Sequence, residues 1–121
     1  MVARNYSTVS KALNITATAG GASANVLYTC PPNHDAEIDF LHVTNGAAST
    51  DNVYIQWYHA DDTTYHTIVN AKSIAGNNVY DVLQGSNVFY LHAGDKIVCY
   101  NGGGDIGITI SVEEHYNPNR R

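Results

Sequence analysis

The sequence predicts an all-β domain: an antiparallel sandwich of jelly-roll-like form with eight or nine strands. Three observations carry this. In residues 105–116, Ile106, Ile108, Ile110 and Val112 alternate with Gly107, Thr109, Ser111 and Glu113. Side chains on a strand alternate between faces, so this pattern buries one face and wets the other. Most of the chain repeats the pattern in shorter pieces, and no stretch carries a helical repeat. Turn signals separate the pieces at intervals of about 8–15 residues, as in a sandwich.

The elements follow in order. Residues 7–18 alternate loosely through Val9, Leu13 and Ile15, and the small residues Ala19-Gly20-Gly21-Ala22-Ser23 break the run. A short strand over 25–29 stops at Cys30-Pro31-Pro32, since two prolines donate nothing to a ladder. In 36–45 the apolar positions switch face between Ile38-x-Phe40 and Leu41-x-Val43; a bulge near Phe40-Leu41 would bring all four inward, and burial on both faces would also explain them. Asn45-Gly46 turns the chain. In 52–59, Val53, Ile55 and Trp57 take one face and Tyr54, Gln56 and Tyr58 the other. Asp61-Asp62-Thr63 is a tight hairpin turn into 65–69. Shorter strands follow at 79–83, at 88–91 after Gly85-Ser86-Asn87, and at 96–100 after Ala93-Gly94-Asp95. Gly102-Gly103-Gly104 leads into the last strand. Residues 1–24 read as an N-terminal arm with the first strand, 25–116 as the sandwich core, and 117–121 as a C-terminal tail, all one domain.

The chain has 121 residues, enough to bury roughly two-thirds of its unfolded surface. Only 14% of residues are charged, against a usual ~25%, and the net charge is −5. A negative molecule with scattered basic residues is repelled by phosphate backbones, which argues against nucleic acid. No apolar run approaches the ~20 residues of a spanning helix, which argues against a membrane helix. The first twenty residues lack the apolar segment of a signal peptide, so folding in a cytoplasm is expected. Two cysteines are then weak evidence for a bridge, and Cys99, which alternates with Ile97 on an apolar strand face, reads as a buried free thiol. Nine Tyr against two Phe suits half-buried strands and protein interfaces.

Candidate chemistry is sparse. His59, Asp61, Asp62 and His66 lie near one hairpin tip and form a legitimate imidazole–carboxylate ligand set, but their spacing matches no defined metal motif. The expectation is therefore no metal and no cofactor. Neither cysteine has an evident histidine partner in sequence, although such partners can be distant along the chain, and no Gly-x-Ser-x-Gly elbow occurs. Glu113 and Glu114 are adjacent on a strand, point to opposite faces, and cannot act jointly as acid and base. Asp81 reads as an edge-strand charge that discourages aggregation. No catalytic residue is expected. Tyr54 and Tyr58, about 13 Å apart on one strand face, are the aromatic pair that a host-glycan platform would use.

The segments Val26-Leu-Tyr-Thr-Cys-Pro31, Ala36-Glu-Ile-Asp-Phe-Leu-His-Val-Thr-Asn45, Val53-Tyr-Ile-Gln-Trp57 and Leu91-His-Ala-Gly-Asp95 resemble small β-sandwich virion proteins of tailed bacteriophages. The resemblance spans residues 26 to about 116; the first twenty-odd residues depart from it. It implies a non-enzymatic virion component that decorates and cements the head, or else belongs to the neck or tail. Its partners would be the major capsid protein or neck and tail subunits, and a homo-oligomer, by preference a trimer, is expected. Surface aromatics and terminal cations are the interface candidates: Arg4, Tyr6, Tyr54, Tyr58, Tyr116, Arg120 and Arg121.

Overall fold

A computed structural model describes residues 6–84 and 89–118. Nine strands are present among them: β1 (Tyr6–Asn14), β2 (Asn25–Thr29), β3 (His34–Asn45), β4 (Asp51–His59), β5 (Thr64–Ile74), β6 (Val79–Asp81), β7 (Phe89–His92), β8 (Lys96–Asn101) and β9 (Ile106–Tyr116). They form two antiparallel sheets, one in the order β1-β9-β3-β6 with β7 also paired to β3, the other in the order β2-β8-β4-β5. The first strand lies beside the last and the second beside the next-to-last. That is jelly-roll order, with β6 and β7 sharing one place. The expected sandwich is thus the observed one.

The core is the layer between the sheets. Ile106, Ile108, Ile110 and Val112 of β9 are at most 1% exposed, and across the layer Val53, Ile55, Ile97 and Cys99 are fully buried. Both cysteines are free buried thiols. In β3 three of the four apolar residues turn inward, not all four. The irregularity falls between Ile38 and Phe40, so Asp39 is the extra residue. Ile38, Leu41 and Val43 are buried, whereas Phe40 points outward and is 41% exposed. A bulge adds one residue; it realigns the positions after it and leaves Phe40 opposite Ser111 on the outer face. The turn read at Gly85-Ser86-Asn87 lies outside the described residues.

Three buried polar side chains hold the loops. Asn45 donates to the carbonyls of Ser49 and Ile74 and accepts from Ala47 N–H. Asn101 donates to the carbonyls of Ile15 and Gly104 and accepts from Gly103 N–H. Asp95 accepts from the Trp57 indole and from the backbone N–H groups of Ala60 and His92. Among the described residues no buried side-chain polar atom lacks a partner, and so each of these three fixes a turn instead of costing stability.

Candidate functional site

The two outer faces differ, and the difference comes from one loop. On the β2-β8-β4-β5 sheet, alternation places Val98, Gln56, Tyr54 and Tyr100 outside. Val98 is nevertheless 1% exposed. The loop around the 3-10 turn Gly21–Ser23 lies over this face: Gly21 N–H donates at 2.8 Å to Oε1 of Gln56, the partner of Val98 in register. A Cβ on Gly20 would lie 2.8 Å from the Tyr100 ring, so the chain packs there as closely as glycine allows. The middle of this face is covered by the protein itself, and Val26 on the edge strand β2, opposite Val98, stays 49% exposed.

The face of the β1-β9-β3-β6 sheet is open, and register arranges it in rows. Thr8, Glu113, Glu37 and Tyr90 form one; Ser10, Ser111 and Phe40 the next. Ala12, Thr109, His42 and Asp81 form the third, and Asn14, Gly107, Thr44 and Val79 the fourth. The β1 and β9 side is therefore made of small, mostly uncharged side chains. The β3 side carries exposed apolar surface: Phe40, Val79 at 65% and Tyr90 at 59%. Phe40 stacks on His42 at 4.1 Å with 9° between the rings.

An acidic rim closes the first-row end. Glu37 and Glu113 face each other in register, Tyr90 Oη donates to Glu37 at 2.9 Å, and His115 lies 2.7 Å from Glu113. Burial, the hydrogen bond with Glu37 and the nearby charges of Glu37 and Glu113 push Asp39 up to about 6. The Asp39 hydrogen bond, followed by that from Tyr90, holds Glu37 below its ordinary value.

The sequence candidates fall in different places. Tyr54 stacks on Tyr100 at 4.3 Å with 3° between rings, and Tyr58 sits 4.8 Å from Tyr65 with Lys96 above it. Each of the two half-buried rings packs against a neighbouring ring of its own sheet. Tyr116 is 54% exposed and meets His34 edge-on at 5.6 Å. Tyr6 opens β1 opposite His115. Arg4, Arg120 and Arg121 lie outside the described residues. Glu113 and Glu114 do face opposite ways: Glu114 accepts from the buried Tyr28 hydroxyl, whose acidity burial and Glu114 suppress. Asp81 sits on the short strand β6 beside His42 and accepts from Leu83 N–H.

Sequence reasoning missed Phe40, Val79 and Tyr90 as surface residues. Phe40 looked like core because Leu41 follows it, and only the bulge position separates them. The hairpin group does converge: His59 Nδ1 and His66 Nε2 lie 3.2 and 3.3 Å from the same oxygen, Asp62 Oδ2. Asp61 stands to the side, 3.9 Å from His59 Nε2.

No protein-family model matches the chain, and no curated protein matches it. Among solved structures it is similar to a protein of the disulfide-linked pili that form Bacillus endospore appendages, at 14% identity over 97% of this chain and 96% of that one, with a TM-score of 0.49. It is similar to the globular domain of zebrafish complement 1qA, at 14% identity over 94% and 98%, with a TM-score of 0.41. It is also similar to a chain of the T13 IBDV viral particle, at 7% identity over 94% of this chain but 36% of that one, with a TM-score of 0.42. None of these likenesses carries an assignment of function.

Proposed function

We propose that this protein is a non-enzymatic structural component of a bacteriophage virion: a capsid decoration protein that docks on neighbouring subunits through the outer face of the β1-β9-β3-β6 sheet. The observation that carries the proposal is the contrast between the two outer faces. The middle of one is covered by the chain's own loop, with Val26 alone exposed on its edge strand, while the other leaves Phe40, Val79 and Tyr90 exposed together beside small side chains. Exposed apolar residues grouped on one flat face mark contact with another protein. The acidic rim of Glu37, Asp39 and Glu113 favours a partner with basic residues at the matching edge. The resemblance of residues 26–116 to tailed-phage virion proteins supports the particle, and a closed trimer is the expected assembly.

Particles assembled without the protein should break at lower temperature or milder ionic stress than complete ones. Phe40→Asp together with Tyr90→Asp should abolish incorporation while leaving the isolated fold intact by circular dichroism. Particles of unchanged stability, or full incorporation of the double variant, would reject the cementing role. Labelling of intact particles separates head decoration from a neck or tail position, which the same docking face would also serve.

A further inference from the structure

We propose that the tip of the β4–β5 hairpin is a binding site for a transition-metal dication of the Zn2+ class, held by His59 Nδ1, His66 Nε2 and Asp62 Oδ2. This site is separate from the docking face and does not depend on the proposed virion role.

The backbone brings the donors together. His66 pairs with Trp57, and His59 lies two residues beyond Trp57, so all three side chains share one side of the sheet. Both imidazoles pack against the indole, with ring centroids 4.7 Å (His59) and 5.3 Å (His66) away. That contact limits their rotation before any ligand arrives. Asp62 is oriented from the other side, because Thr64 N–H donates to its Oδ1 at 3.0 Å and leaves Oδ2 for the histidines. One donor atom from each of the three residues lies within 4.8 Å of the others.

Both histidine-to-carboxylate separations match those around an ion, and the two histidine nitrogens lie within 4.8 Å of each other. The nitrogen-to-oxygen separations are 3.2 and 3.3 Å. Donors at 2.0–2.1 Å from a tetrahedral ion stand about 3.3 Å apart. Two imidazoles and a carboxylate select Zn2+, Ni2+ or Cu2+ over Ca2+ or Mg2+, which prefer all-oxygen shells. Ion binding needs both ring nitrogens facing Asp62 without protons, so each neutral imidazole carries its proton on the other nitrogen. For His59 that nitrogen is Nε2, and Asp61 Oδ2 stands 3.9 Å from it. A carboxylate behind a ligating histidine is the usual outer partner of a zinc site. Three protein donors leave at least one coordination position for water or a donor from another molecule.

The test uses the full-length chain and Zn2+ alone. Equilibrium dialysis with elemental analysis should give one Zn2+ per chain. Cu2+ should quench the fluorescence of Trp57, the chain's single tryptophan, and Zn2+ should compete with that quenching. His59→Gln, Asp62→Asn and His66→Gln should each weaken binding by about 100-fold or more, beyond the 10–100-fold typical of outer-partner losses. His92→Gln and His115→Gln should leave it unchanged. His66 is exposed, so its variant keeps the fold, which urea unfolding without metal verifies. Less than one-tenth of an equivalent of bound Zn2+, or binding unaffected by His59→Gln and His66→Gln, would overturn the assignment.

Discussion

The Trp57 indole Nε1 donates a 3.1 Å hydrogen bond to Oδ2 of Asp95, a carboxylate that is 1% exposed. The same carboxylate takes Ala60 N–H at 2.9 Å and His92 N–H at 3.1 Å, tying the end of β4 to the turn before β8. Asp95→Ala strands three donors in a buried place, where each unsatisfied group costs about 1–3 kcal/mol. Some of this is recovered by water, so a loss of about 3 kcal/mol is expected, a large part of a typical domain's stability. Asp95→Asn keeps the shape but turns an amide toward a donor, and should lose about 2 kcal/mol. Urea unfolding followed by Trp57 fluorescence measures both. An unchanged midpoint in either variant would contradict this account.

Gly76 and Gly103 separate two reasons for a glycine. A Cβ at Gly76 would overlap the backbone carbonyl of Ala48, in the loop that also takes Asn77 N–H at Ala47 O. Backbone cannot swing aside as a side-chain tip can. Gly76→Ala should therefore cost more than about 2 kcal/mol. Gly103 has φ +110 and open space around its would-be Cβ. Gly103→Ala meets only conformational strain, about 1 kcal/mol. Thermal unfolding of the two variants side by side should rank them in that order.

What the sequence showed and what it hid divide along sequence separation. Ile106 to Val112 announced their burial because a period of two is written in neighbouring positions. His59, Asp62 and His66 were legible as a cluster because one hairpin holds them. Asp95 was legible only as a turn residue, since its partners Trp57 and Ala60 lie 38 and 35 positions away. The covering of Tyr100 by Gly20 was hidden for the same reason. So was the pairing of β1 with β9, which packing decides and local pattern does not. Phe40 failed differently: the switch of face was visible, but the residue that absorbs it was not, because a bulge at Asp39 and one at Phe40 leave the same trace in the sequence.

Cys30 and Cys99 should be chemically silent in the folded protein. Burial first of all pushes both thiols up to about 12, with nearby carboxylates adding to the effect at Cys30. The thiolate is the reactive form, so almost none exists at pH 8, and neither sulfur is open to a reagent. Iodoacetamide at pH 8 should leave the native mass unchanged and add two carbamidomethyl groups in 8 M urea. Rapid modification of the native protein at either cysteine would contradict the packing of the core.

The acidic rim should make stability depend on pH through Asp39. Its folded-state value of about 6 lies above the ordinary 3.8, so between about pH 4 and 6 the folded state holds more protons than the unfolded one. Stability from this group is complete below about pH 4 and is lost as pH rises through 6. Glu37, held low, works in the opposite sense and loses its contribution as the solution is acidified. Asp39→Asn isolates the first effect, because the amide cannot ionise beside Glu37 and Glu113. Relative to the native protein the variant should gain stability as pH goes from 4 to 7, by less than about 1 kcal/mol, since the rim is exposed and screened. The gain should shrink further in 1 M salt, where charges interact over only about 3 Å. Urea midpoints at pH 4, 5.5 and 7 measure the slope. Parallel slopes for the two proteins would mean that Asp39 is charged throughout this range and that Glu37 and Glu113 do not oppose its ionisation.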